Sequence, residues 1–446
     1  MSENIEISNN LPKDWGKVKL GEVATFQTGK REKGGAKTSG GVPSIGGEHI
    51  TEDGKINFYD SPKYISPAFF QNMKKGKVNI GDVLLVKDGA KTGKSAIVRK
   101  RISEHMAVNE HVFVIRSKNQ SLILTEFIGF WFHSNQAWKQ IKRAYHGLIG
   151  GINRKQLSNF ILPLPPLPEQ KAIAFVLRSV QEAKEATEKV ISSLRELKKS
   201  LMKHLFTYGP VPINQKSQVK LKETEVGQIP EHWEVAKLGE LFSVQQGKQL
   251  SRKKKAKDSE IECKFLRTSN VFWEGIRLQN LDTMKITEKE LKKLKVKKGD
   301  IFVCEGGEVG RTAILEVDID FDLIYQNHLH RLRPKINSIN PKFFVYWMEK
   351  HIRLDKAHIP ANTTTIPNLS ASRLKEFLIP LPPIEEQEKI AEILKAVDEK
   401  IEAEEKRKEA LESLFKSLLN NLMTAKIRLP EEFIKKFEEE SNELCK

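Results

Sequence analysis

Residues 160–177 and 377–394 are two copies of one stretch, and no other feature constrains the fold of this chain as strongly. The first copy opens Phe160-Ile161-Leu162-Pro163-Leu164-Pro165-Pro166-Leu167-Pro168-Glu169-Gln170. The second opens Phe377-Leu378-Ile379-Pro380-Leu381-Pro382-Pro383-Ile384-Glu385-Glu386-Gln387. Each reads as a strand end, a proline-stiffened elbow and the start of a long helix. Proline bars a helix interior but is tolerated in the first turn. Glu169 and the pair Glu385/Glu386 place negative charge where first-turn N–H groups lack partners.

The repetition runs further. Leu11-Pro12, Trp15 and Lys19-Leu20-Gly21-Glu22 return as Ile229-Pro230, Trp233 and Lys237-Leu238-Gly239-Glu240. Gly81-Asp82-Val83-Leu84 returns as Gly299-Asp300-Ile301-Phe302, and Asn109-Glu110-His111 as Gln326-Asn327-His328. One domain plus one helix has been duplicated. The short apolar runs after Gly-Asp predict strands, and the apolar spacing over 127–142 and 341–357 predicts helix, so each globular half is α+β. The predicted division is 1–162 and 229–379 for the globular domains, with elbow and long helix at 163–208 and 380–425. A linker covers 209–228 and a C-terminal tail 426–446.

Along the first helix Ile173, Leu177, Val180, Thr187, Ile191, Leu194, Leu201 and Leu205 keep a 4-3 spacing, with Lys184 and Lys198 in two slots. Along the second, Ile390, Leu394, Val397, Ile401, Leu411, Phe415, Leu418 and Leu422 do the same, with Glu404 and Lys408 as polar slots. A period near 3.5 marks a coiled-coil seam. About 40 residues at 1.5 Å each make a rod of about 60 Å. The expected arrangement is an antiparallel pair with one globular domain at each end. Packing of each helix on its own domain, or on another chain, would also hide the stripe; the matched lengths favour the pair.

The search for catalytic chemistry finds look-alikes. Asp88-Gly89-Ala90-Lys91-Thr92-Gly93-Lys94-Ser95 approaches a phosphate-binding loop, but Asp88 stands where the pattern needs glycine. The matching segment, Gly306 to Thr312, carries Arg311 where that lysine would be. A glycine turn presenting Lys91, Lys94 or Arg311 to solvent or to a phosphate explains both. Glu262-Cys263-Lys264 resembles half a nuclease site and lacks the second carboxylate. His111 and His328 occupy matched positions at the edges of apolar runs and read as core or turn residues. Cys263, Cys304 and Cys445 form no ligand cluster, which argues against structural zinc and for a reducing cytoplasm. No apolar run predicts a membrane span, and the first residues do not read as a signal peptide.

A formal charge of +17 favours a polyanionic partner, nucleic acid or an acidic membrane. The cations gather in loops. Lys30, Arg31, Lys33 and Lys37 lie in one glycine-rich segment; its counterpart holds Lys248, Arg252, Lys253, Lys254 and Lys255. Lys142, Arg143 and Arg154 flank a second glycine loop, matched by Asn362, Thr363 and Thr364. Lysine and arginine position a protein on phosphates, whereas Arg, Asn, Gln and Thr suit base edges. The halves agree in their frames and differ in these loops. Reading two different sequences requires that, and drift of duplicated loops also produces it.

On these elbows, the Pro-x-x-Trp openings and the Gly-Asp strand starts, the chain resembles the specificity subunit of type I restriction–modification enzymes over nearly its whole length. The resemblance implies two target-recognition domains, each reading half of a split, asymmetric site in double-stranded DNA. The antiparallel coiled-coil helices would set the spacing and dock two methyltransferase subunits. It implies no catalytic residue and no cofactor on this chain. S-adenosylmethionine, ATP and Mg would belong to partner subunits, including a restriction subunit where the host carries one. A coiled-coil scaffold without DNA specificity, and a recognition part split from a fused restriction–methylation enzyme, are the alternatives.

Overall fold

The computed structural model describes residues 11–145, 150–249, 260–355 and 369–443. The chain forms two compact units, one of Met1–Thr187 with Arg407–Lys446, the other of Glu188–Lys406.

In the first unit a four-stranded antiparallel sheet runs in the order Ala24–Thr28, Val112–Ser117, Val83–Val86, Ser95–Ile97. Both faces are covered, and this explains the unbroken apolar run Val83–Val86. Val83 and Leu85 pack with Phe127, Phe130 and Trp131 of the helical layer. Leu84 and Val86 pack on the other face with Ile45, Ile50 and Phe58. A small sheet joins Val42–Ile45 antiparallel to Tyr64–Ile65 and parallel to Ala107–Val108.

The second unit repeats the plan. Its sheet runs Phe242–Gln246, Leu329–Pro334, Ile301–Cys304, Thr312–Ile314. Ile301 and Val303 meet Phe343, Phe344 and Trp347, while Phe302 and Cys304 meet Phe265 and Tyr325. The repeated Gly-Asp is structural. Gly81 and Gly299 both have φ 87, and each following aspartate takes a bidentate bond from an arginine on the neighbouring strand, Asp82 from Arg116 and Asp300 from Arg333.

Residues 127–142 do not form one helix. Thr125–Phe132 stops at His133, and Ser134 caps a new helix, Asn135–Ala144, by accepting from the Ala137 N–H. In the second unit the helix Pro341–Met348 continues as a wider turn of π type over Glu349–Leu354.

The elbows explain their own sequence. The strand Ile161–Leu164 pairs with Gly16–Lys19, and Leu378–Leu381 with Glu234–Lys237. Gln170 accepts from the Leu124 N–H and donates to the carbonyls of Leu122 and Pro165. Gln387 does the same with Asn340, Ser338 and Pro382.

The long helices span Leu167–Tyr208 and Ile384–Leu422. In the first unit Ile173 and Leu177 share a core with Leu422, and Lys184 meets Glu412. Val180 and Leu411 are half-buried, and Leu418 packs against that core. In the second unit Met202 and Leu205 share a core with Ile390 and Leu394, against which Leu201 packs, and Arg195 reaches Glu405. Leu194 and Val397 are half-buried there. Numbers rise on one helix as they fall on the other, so the pair is antiparallel in each unit. The architecture is α+β, two similar domains joined by two long antiparallel helices.

Candidate nucleic-acid interface

The sheet register decides which loops share an end. In the first unit Thr28 pairs with Phe113, Val86 with Val112 and Leu85 with Ser95, so residues 29–41, 87–94 and 109–111 leave the same edge. Backbone bonds bind these loops together. The Gly29 N–H donates to Asn109 O at 3.1 Å, Lys87 to His111 O at 2.8 Å and Ile152 to Lys87 O at 2.7 Å. A Cβ on Gly29 would lie 1.6 Å from the Val108 carbonyl oxygen, so only glycine fits.

This loop end carries exposed cations. Lys30, Arg31, Lys33 and Lys37 face solvent. The acid among them, Glu32, turns away to accept from the Ser66 hydroxyl at 2.5 Å and the Ser66 N–H at 2.9 Å. Those bonds hold its carboxyl below the usual range. The acid anchors the loop and the cations stay outward. Lys142 and Arg143 are exposed in the last turn of Asn135–Ala144, where the helix dipole favours positive charge. Asn153 caps Arg154–Ser158, and Gln156 ties that helix to the Ala144 carbonyl at 2.9 Å. Arg154 is exposed but also donates to Phe26 O at 2.7 Å.

Four cations have a different occupation from the one expected. Lys91 is half-buried and donates to the carbonyls of Glu48 (2.7 Å) and Ile50 (3.5 Å). Lys94 is 18% exposed and pairs with Glu52. Arg311, also 18% exposed, bonds Glu308 and the Thr268 carbonyl. Lys248 pairs with Glu290 at 2.6 Å. Lys91 and Arg311 are tethers that fasten a neighbouring 3-10 turn to the hairpin. The phosphate-loop look-alike is that hairpin turn, with Gly89 and Gly93 at positive φ. Its N–H groups at Thr92, Gly93 and Lys94 donate to Gly89, Val86 and Lys91 carbonyls, so they are not aimed at a ligand.

The second unit places residues 247–249, 305–311 and 326–328 at the matching end. Arg252, Lys253, Lys254, Lys255, Asn362, Thr363 and Thr364 lie outside the described residues. His111 and His328 are turn residues, one of the two expected readings, and not core. Their side chains are 50% and 54% exposed, beside Asp88 and Glu305 respectively. Glu262, the nuclease look-alike, accepts from Thr283 at 2.5 Å. Among the described residues no cluster of three or more His, Cys, Asp or Glu is arranged to hold a metal, and no helix is long and apolar enough to cross a membrane. Two further exposed polar residues beside the loop ends, Asn57 and Arg277, escape a reading based on charge runs.

Against known families, the model for the type I restriction modification DNA specificity domain matches residues 12–196 and again 230–413. The chain belongs to this family. The type I restriction enzyme MjaVIII specificity subunit of Methanocaldococcus jannaschii is 30% identical over 435 residues, 94% of each chain. The EcoKI specificity subunit of Escherichia coli is 23% identical over 76% of each. Among solved structures, the type I restriction-modification S subunit from M. genitalium has a TM-score of 0.59 at 18% identity, covering 94% of this chain and 98% of that one. A chain solved to explain complex assembly and conformational transition of the type I R-M system has a TM-score of 0.52 at 18% identity, covering 93% and 98%. The duplicated frame derived from the elbows is thus the duplicated DNA specificity domain of the family.

Proposed function

We propose that each globular domain, through its loop end, reads one half of a bipartite, asymmetric site in double-stranded DNA. The antiparallel helices set the spacing between half-sites and dock two methyltransferase subunits. The observation that carries this reading is one frame used twice with different loop ends. In the first, Lys30, Arg31, Lys33 and Lys37 face out from the sheet edge; in the second, among the described residues, Lys248, the counterpart of Lys30, is paired with Glu290. Cations on the rim suit phosphate, and the exchangeable polar side chains suit base edges.

The chain acts in the cytoplasm without chemistry of its own. S-adenosylmethionine is bound by the modification subunits, and ATP and Mg by a restriction subunit where one is present. A map of methylated adenines in host DNA, with the gene intact and deleted, tests the reading. Loss of methylation at one split motif of fixed spacing is expected. An unchanged map from a host that expresses active modification subunits contradicts it.

A further inference from the structure

Two positions outside the charge runs are equivalent in the two domains. In the first unit, His49 accepts from the Gly46 N–H through Nδ1 at 2.8 Å, and its carbonyl accepts from the Asn57 N–H at 2.9 Å. In the second, Asn270 accepts from the Arg267 N–H through its side chain at 3.0 Å, and its carbonyl accepts from the Arg277 N–H at 2.9 Å. The ladder pairs Ile50–Ile56 and Val271–Ile276 follow in each case. Asn57 and Arg277 are therefore structural counterparts, and both are exposed.

Both stand beside the loop end. The turns Gly47–His49 and Thr268–Asn270 are the ones tethered to the hairpins by Lys91 and Arg311. Arg277 lies over the Phe272 ring at 4.0 Å, with Arg311 5.6 Å from the same ring. Among the described residues the Arg277 guanidinium has no carboxylate or carbonyl partner. Other arginines of the unit are paired: Arg267 meets Asp282, Arg311 meets Glu308, Arg333 meets Asp300 and Arg353 meets Glu349. The Asn57 amide likewise has no hydrogen-bond partner among the described residues. A planar fork held over an aromatic ring, with its backbone pinned and its donors unused, is organised in advance for a planar acceptor pair.

Resting on the reading of the loop ends as DNA contacts, we propose that 57 and 277 are matched base-reading positions. Arg277 takes guanine through N7 and O6; Asn57 takes adenine through N7 and the N6 amino group. These are the bidentate pairings that each side chain fits in the major groove. One frame then reads purines of opposite pattern by exchanging one side chain.

The test uses the complete chain assembled with its modification subunits, as wild type, Asn57→Ala, Arg277→Ala and Arg277→Lys. Each competes for duplexes carrying single changes across the preferred site. Arg277→Ala lowers discrimination at one guanine of one half-site by about tenfold or more and leaves other positions alone. Arg277→Lys restores it only in part, because an ammonium reaches N7 and O6 without the fixed fork. Asn57→Ala does the same at one adenine of the other half-site. Uniform weakening across all sequences that lysine rescues would make Arg277 a phosphate-binding residue and overturn the proposal; so would unchanged discrimination. A wild-type complex with no preferred sequence would instead sink the DNA-reading function itself.

Discussion

The indole N–H of Trp15 donates to Glu169 at 2.8 Å, across 154 residues of chain. Trp233 donates to Glu386 at 2.9 Å in the same way. Each bond fastens the opening of a globular domain to the first turn of the long helix that follows it. The pairs differ in their surroundings. The Glu169 side chain is 2% exposed and also takes two bonds from Arg428, which reaches Asp14 as well. Glu386 is 25% exposed and meets His232. Glu169→Gln is expected to cost about 1–3 kcal/mol, and Glu386→Gln less, since water can replace its partners. Thermal unfolding of both variants checks the ranking, and equal losses would contradict it.

Lys198 ties three elements of the second unit. Its ammonium lies 2.8 Å from Glu349 of the globular domain and 2.8 Å from Asp398 of the second long helix, and Tyr346 also donates to Asp398. Burial opposes its charge, but the two carboxylates outweigh this and raise its pKa. Lys198→Met leaves Glu349 with Arg353 and the 38% exposed Asp398 with Tyr346 as remaining partners, and should cost about 1–3 kcal/mol. Adding Glu349→Gln and Asp398→Asn should recover most of that loss. If the triple variant unfolds as easily as the single one, the cost lies in packing instead of charge.

Acid should weaken the first unit through His133. This imidazole is half-buried beside Ser95, and desolvation pulls its pKa down from 6.5 to about 4, with Asp53 raising it and Arg99 lowering it. The folded state thus resists a proton that the unfolded chain accepts. Its contribution is complete above about pH 6.5 and is lost as pH falls toward 4, in all about 3 kcal/mol. His133→Gln should flatten the fall in melting temperature between pH 6.5 and 4.5. An unaltered acid limb would place the titration elsewhere; Asp53, held at about 2, protonates only below this window.

The cations should divide into two classes. Lys91→Ala and Arg311→Ala remove tethers and should lower the melting temperature. Lys30→Ala with Arg31→Ala, and Lys142→Ala with Arg143→Ala, remove exposed charge. They should leave melting unchanged and reduce the slope of log affinity against log salt by up to about one for each phosphate no longer neutralised. Salt titrations of DNA binding by the assembled complex check this; the reverse pattern would refute the division.

The elbows were legible because repetition marks residues that a frame cannot change: Gln170 and Gln387 each take one backbone N–H and two carbonyls at matching places in the two copies. The strands Val83–Val86 and Ile301–Cys304 were legible because burial on both faces leaves no polar position. Charge misled at Lys91 and Arg311, since a sequence does not say which carbonyl a cation meets. The break at His133 was hidden because apolar spacing continues through it, although Ser134 is a capping residue in plain view. Asn57 and Arg277 were hidden because they stand 220 positions apart, whereas the frame around them repeats at 217 or 218.

The central claim is that one chain reads two separate words. The most direct measurement is selection from random duplex DNA by the purified chain assembled with its modification subunits, followed by sequencing of the bound pool. Two short blocks of fixed sequence separated by a constant run of unspecified bases are expected. Alanine at Arg277 should blur only one of the blocks. A single continuous block, or a pool no different from the input, would contradict it.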